Sequence, residues 1–358
     1  MTTQAQKMLL IAVIAVLLAG LVVDISVRKF EIFESVGRQF VNEQRTNEYE
    51  DAHRAMTAQS ERQLKLDSKT ITGIELSHTS GKVEIRRAAG RMIELKAAIT
   101  ATGSTQEAAD LKSKAVQVEQ SVKDGKLTFT LSADGKPVDS VAVQVDYELL
   151  LPEGLKLQVN SEYGIVSVQG VKSDIEAVSK SGMLEISDTS GKLDLSSYSG
   201  NVLLTRITGD IDLTTDFSDA MIEGITGDLD LRTVNGQSVV KRVDGDVTSD
   251  SRYGYVNLHD IAGSAAMTSL ATDLLLDGVR SDMRVKADDG EITVLLAAEI
   301  GYALWLETQD GGIITTLAGS EQTEGNKERM TSKVGDGSQR VEVRAVAANI
   351  IVHHASNE

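Results

Sequence analysis

From residue 164 to residue 290 the chain repeats small, apolar and polar positions on a beat of nine. Of the fifteen positions reached in steps of nine, eleven are Gly, three are Ser (Ser173, Ser218, Ser281) and one is Thr272. Two places after each comes an apolar residue in fourteen of fifteen cases, with Ser238 the exception. Four places after comes another, again in fourteen, with Ser249 the exception. An apolar-x-apolar pair is the period-two mark of a short strand with one face buried. The small residue predicts a tight bend or a close backbone approach.

Nine is half of the true repeat. Seven places after alternate small positions the chain reads Val171, Thr189, Ile207, Ile225, Val243, Ile261 and Val279. The other half reads Lys180, Tyr198, Asp216, Val234, Arg252, Leu270 and Asp288. The halves differ, so the unit is 18 residues, and a fixed short period signals stacked coils that bury their apolar residues on one another. The expected fold is all-β: a β-solenoid over residues 161–318 with flattened 18-residue coils. Seven to eight coils at ~4.8 Å per strand give a rod about 35 Å long. An antiparallel meander is the alternative all-β reading.

The flanks follow other patterns. After a short tail (1–7), Met8 to Val23 carries no charge between Lys7 and Asp24, and Ile25 and Val27 prolong it. This predicts a transmembrane anchor over 8–27 and makes the lipid bilayer a partner. A cleaved signal peptide is the rival, but no A-x-A site follows the run. Residues 28–65 are charged and Gly-poor, with Phe30, Phe33, Phe40 and Val41 at helical spacing. They predict a helical juxtamembrane stalk whose apolar stripe lies on lipid or pairs with another copy. Residues 66–160 read as a β-rich leading unit with one helix, opened by the capping-box pair Ser104 and Glu107. Residues 319–340 read as a polar loop, and 341–358 as closing strands and a tail.

Composition narrows the function. The chain has 358 residues and a net charge of −17, which argues against nucleic acid as a partner. It has no cysteine, so thiol chemistry and disulfides are absent. Aromatics are 4%, too few for a carbohydrate-cutting groove. The five histidines form no ligand spacing apart from the terminal His353 and His354, and no Gly-rich phosphate loop precedes a helix. No enzyme and no cofactor are expected.

Two polar or aromatic constellations stand out. Asp194, Asp212 and Asp230 are 18 apart, as are Asp210, Asp228 and Asp246. Stacked carboxylates repel unless bridged, so these six are weak candidates for binding Ca²⁺. The plainer reading is a solvated acidic face with Asp favoured after Gly in the turn. Tyr163, Phe217 and Tyr253 are separated by multiples of 18 and fall on one edge as a sparse interaction strip.

The anchored start, the phrase VDYELLLPEGLKLQVNSEYGIVSVQGV, and the repeats TGDIDL, TGDLDL and DGDVTS resemble the bacterial toast-rack or "putative adhesin" β-strand-repeat family. The resemblance covers roughly residues 68–353. It implies an anchored envelope protein with a role in envelope stress or adhesion, and no catalytic residues. The resulting expectation is a non-enzymatic, single-pass scaffold or interaction module at the bacterial inner (cytoplasmic) membrane, self-assembling or bound to a protein partner. A stress or ligand sensor, or an adhesin, is the alternative. The Lys and Arg that flank the anchor lean toward a cytoplasmic body, whereas the resemblance implies a body in the periplasm or at the surface.

Overall fold

In the computed structural model, which describes residues 55–138 and 142–354, residues 18 apart lie side by side. The chain divides into two compact units, Met1–Met56 and Thr57–Glu358, and the account below concerns the second. The predicted anchor (8–27) and the stalk as far as residue 54, with Phe30, Phe33, Phe40 and Val41, lie outside the described residues. No helix among the described residues is long and apolar enough to cross a membrane.

The fold is all-β. The leading strands are β1 (Met56–Asp67), β2 (Gly73–Arg87), β3 (Met92–Gly103), β4 (Val116–Lys123), β5 (Lys126–Ala133), β6 (Lys136–Pro137) and β7 (Val143–Leu151). One helix, α1 (Gln106–Ala115), joins β3 to β4. The repeats supply β8 (Lys156–Gln169), β9 (Ile175–Ser187), β10 (Leu193–Ser197), β11 (Gly200–Thr208), β12 (Ile211–Asp216), β13 (Ser218–Thr226), β14 (Leu229–Val234) and β15 (Gln237–Val243). They continue in the long strands β16 (Val247–Ile261), β17 (Ala265–Val279) and β18 (Met283–Leu296). The closing strands are β19 (Tyr302–Gln309), β20 (Ile313–Thr315), β21 (Gly319–Glu324), β22 (Lys327–Val334) and β23 (Gln339–His354).

From β8 to β18 every ladder is parallel with a register of 18. The antiparallel alternative is thus excluded there. Two parallel ladders result, one from each half of the unit, and long strands such as β9 and β16 run through both, so they belong to one continuous sheet. The apolar pairs point inward and form continuous columns, such as Leu195, Leu213 and Leu231, all buried. Burial of these columns is the main stabilising term, at roughly 25 cal/mol per Å² of apolar surface.

The recurring glycines have a steric cause. A Cβ on Gly182 would overlap the carbonyl oxygen of Gly164, and one on Gly209 would overlap that of Gly191. Ser218 enters the first glycine column because the positive φ moves one residue earlier, to Phe217 at 50°. The aspartates after the second column are also structural. Oδ1 of Asp210, Asp228 and Asp246 accepts the amide N–H of the residue 18 further on, at 3.1, 2.8 and 2.7 Å.

Both ends differ from the expected plan. Residues 56–65, assigned to the helical stalk, belong to the strand β1, which pairs with β3. Ala58 is buried, and Leu64 and Leu66 pack on the core, so pairing at a sheet edge overrides helix propensity. The helix cap is Thr105, which accepts from Ala108 N–H at 3.1 Å, rather than Ser104. Residues 319–340 contain no simple loop: β21 and β22 form an antiparallel hairpin that lies on β19. The strand expected to close the rod, β23, instead lies between β18 and β19, parallel to both.

The glycine contacts make a direct prediction. Gly209→Ala should lower stability by at least ~3 kcal/mol, because backbone rather than a movable side chain blocks the methyl. Gly154→Ala, at a positive φ but in open space, should cost less. Thermal or denaturant unfolding of the two variants reads the difference, and equal losses would refute the steric account.

Candidate functional site: the aromatic edge

Where one ladder passes into the other along one side, two adjacent columns collect exposed apolar side chains. Between Tyr163 and Val346 the exposed large apolar residues are Tyr163, Tyr198, Phe217, Tyr253, Leu270, Ile314 and Val346. All but Ile314 lie in these two columns. Tyr198, Leu270 and Val346 share the outer column with Lys180, Asp216, Val234, Arg252 and Asp288. Tyr163 pairs with Ser181 and begins the next column, in which Phe217 and Tyr253 follow. The structure therefore brings the three sequence-predicted residues onto one edge, and adds Tyr198, Leu270 and Val346. Their spacing of 18 was readable, but the outer column mixes Tyr, Lys, Asp and Val and gave no apolar pattern.

The backbone beneath the strip is unusual. Phe217, Asn235, Tyr253, Ala271 and Asp289 all have φ between 49° and 66°. Asn and Gly tolerate this left-handed region, whereas a bulky ring is an outlier there. Phe217 and Tyr253 are nevertheless 65% and 56% exposed, so core packing does not account for the rings. Behind the strip runs a column of small hydroxyl residues: Ser161, Ser179, Ser197, Thr215, Thr233, Ser251 and Ser269, all buried. The turn is too tight for larger side chains, and Ala287 and Ala345 continue the column. Sequence reading missed it because Ser and Thr pass for surface residues.

The acidic candidates sit elsewhere. Asp194, Asp212 and Asp230 form an outward row on the ladder of β10, β12 and β14. Arg232 reaches Asp212 at 2.7 Å and Asp230 at 2.9 Å, supplying the positive charge that a bridging cation would bring. Asp210, Asp228 and Asp246 use one carboxylate oxygen each on backbone amides, as described above. Among the described residues no group of three or more His, Cys, Asp or Glu is arranged to hold a metal ion.

Two concavities are described, one away from the strip and one that reaches its Val346 end. One, of about 460 Å³, opens where β2 changes partner from β5 to β7. Its lining includes His78, Tyr147, Ser132 and Lys136. His78 is buried; its Nε2–H donates to the Val145 carbonyl at 3.2 Å, and Nδ1 accepts from Ser161 Oγ at 3.0 Å. Burial lowers its pKa against the opposing pull of that carbonyl and of Asp146. Burial also pushes the Tyr147 phenol up. The second concavity, of about 440 Å³, lies between Lys286, Lys327 and Arg344 near the closing strands. On the neighbouring strand β19, Trp305 has the guanidinium groups of Arg344 and Arg329 at 4.8 and 5.5 Å from its ring centre. Tyr302 is buried beneath, its hydroxyl donating to the Val279 carbonyl at 2.8 Å.

No protein-family model and no curated protein matches this chain. Among solved structures, it is similar to a "putative adhesin" from Bacteroides fragilis NCTC 9343 at 11% identity and a TM-score of 0.31, over 82% of this chain and 97% of that one. A "putative adhesin" from Parabacteroides merdae ATCC 43184 shares 9% identity at a TM-score of 0.31, over 82% and 95%. A "putative cell adhesion protein" from Clostridium sporogenes ATCC 15579 shares 12% identity at a TM-score of 0.21, over 83% and 100%. These names agree with the adhesin family that the repeats resemble, and none of them specifies a ligand.

Two outcomes are expected from this geometry. Phe217→Asn should raise stability by roughly 0.5–1 kcal/mol, since Asn relieves the left-handed strain at little cost in packing. A fall in melting temperature would show that the ring supports the fold. The lowered pKa of His78 means that the unfolded chain takes up a proton first as pH falls below 6.5. Stability should therefore drop from pH 6.5 downward to the folded-state pKa, and be unaffected by His78 above 6.5. His78→Gln should flatten that part of the stability–pH curve; equal slopes in the two proteins would rule the effect out.

Proposed function

We propose that the chain winds as a β-solenoid and works as a non-enzymatic interaction scaffold anchored at a bacterial membrane, with the aromatic edge as its recognition surface. The 18-residue parallel register supports the winding, and the uncharged run from Met8 to Val23, prolonged by Ile25 and Val27, supports the anchor. The observation that carries the recognition role is the exposure of Phe217 and Tyr253 on left-handed backbone. Aromatic residues placed against local preference and against burial are explained by contact with another molecule.

The partner is an extended polymer of the envelope, a glycan or a peptide, lying along the rod. Rungs at ~4.8 Å offer a ring or apolar group at most levels, with Lys180, Asp216, Asn235 and Arg252 between them for hydrogen bonds. An adhesin would use the same edge outside the cell. A stress sensor would use it in the periplasm and relay occupancy through the membrane segment.

The test is binding of the full-length protein, in mild detergent, to immobilised envelope glycans and to a peptide array. Tyr163→Ser, Tyr198→Ser, Phe217→Asn and Tyr253→Asn in combination should weaken any ligand found by ten-fold or more, at about 1 kcal/mol for each ring removed. Unchanged affinity in that variant would end the edge reading.

A further inference from the structure

The concavity of about 460 Å³ among the leading strands falls within the ~300–1,000 Å³ of small-molecule sites. It exists because the stack forks there. Strand β2 pairs with β5 as far as Leu76 and with β7 from Val83 onward, so β5 and β7 diverge over the residues between. Its apolar lining comes from Phe129 on β5 and from Val143, Val145 and Tyr147 on β7, all buried. The two buried polar groups in this lining differ. His78 uses both ring nitrogens, on Val145 and on Ser161. The Tyr147 hydroxyl has no hydrogen-bond partner among the described residues. Burial keeps it protonated, so a donor is left for whatever occupies the cavity.

One charge of each sign completes the lining. Positive φ at Asp134 and Gly135, 51° and 73°, makes the two-residue turn between β5 and β6. That turn sets Lys136 beside Ala133, on one edge of β5. Glu119 stands on β4, along the other edge of β5, and its carboxylate accepts from the buried Ser132 hydroxyl. Both charged side chains line the concavity and both are exposed, yet among the described residues neither forms an ion pair. The two strands that flank a third stand ~9–10 Å apart. A charge-assisted hydrogen bond of about 2.8 Å at each end leaves about 4 Å, a span that the ammonium and carboxylate of one amino acid bridge.

We propose that this cavity binds a free apolar α-amino acid, with its ammonium at Glu119, its carboxylate at Lys136 and its side chain against Phe129, Val145 and Tyr147. The balanced pair of charges selects a zwitterion. A carboxylic acid without an amine would meet the Glu119 carboxylate, and an amine without an acid would meet the Lys136 ammonium. The apolar lining selects the side chain. None of these residues belongs to the aromatic strip, so the site stands independently of the strip's ligand.

The experiment is isothermal titration of the full-length protein in lipid nanodiscs, which keeps detergent out of an apolar cavity. The probes are L-phenylalanine, N-acetyl-L-phenylalanine and L-phenylalanine amide; each blocked form lacks one charge. Phenylalanine should bind, and each blocked form should bind about three- to five-fold more weakly, the worth of an exposed ion pair. Glu119→Gln should weaken phenylalanine by a similar factor without weakening the N-acetyl form. Lys136→Gln should do the same without weakening the amide. Both positions are exposed, so both variants should keep the wild-type melting temperature. Absence of phenylalanine binding up to about 10 mM would overturn the proposal. So would blocked forms that bind as well as phenylalanine, or variants that bind it like the wild type. An N-acetyl form that binds as tightly as phenylalanine while the amide fails would overturn it in favour of a peptide C-terminus.

Discussion

In two columns of the stack, the backbone of one turn comes so close to the next that a side chain has no space. The carbonyl oxygen of Gly164 occupies the place where a Cβ of Gly182 would go, and the contact recurs at Gly200 above Gly182. With the turns held at this distance, everything else falls into register. Leucine meets leucine, carboxylate meets the amide above it, and a small hydroxyl column fills each tight bend. Exceptions obey the same constraint. Ser218 is admitted where the left-handed residue shifts to Phe217, and the φ that glycine would have supplied is then borne by an aromatic ring.

That shift links architecture to recognition. At the same structural position Asn235 satisfies the backbone without strain, yet the levels on either side carry Phe217 and Tyr253. A sequence optimised only for its own stability would have repeated the asparagine. On the proposed reading, the exposed rings mark where the fold gives up stability for a binding partner, as expected when binding and folding compete for one residue.

The repeat region was legible because its determinants are local and periodic. Gly every nine residues, two apolar positions after each, and a non-equivalent second half fix strand length, facing and register. The edge residues Tyr163, Phe217 and Tyr253 followed from the same arithmetic. Where period 18 gives out, so did the reading. Residues 56–65 have helix-favouring Gln, Glu, Arg and Lys, and only pairing with β3 makes them a strand. Residues 319–334 are polar enough for a loop, and the hairpin exists because β19 offers an edge. The role of Asp228 was hidden because a carboxylate that accepts the N–H of the residue 18 further on looks, in sequence, like any acid after a glycine. The place of β23 depends on a contact between segments more than 40 residues apart, Met283 with Val341, which no local pattern encodes.

The position of β23 also sets an order of events. From β8 to β18 each layer rests on one already made, so the stack can grow while the chain is still emerging. β19 cannot join it in the same way, because the layer on which it rests is made after it. At synthesis rates of about 5–20 residues per second, β19 and its hairpin wait on the order of seconds with a sheet edge uncovered. During that interval β18 is an open parallel edge, and the polar, charged hairpin of β21 and β22 is suited to keep the waiting segment soluble. Insertion of β23 then acts as a latch, joining the growing stack of strands to β19 in a single step.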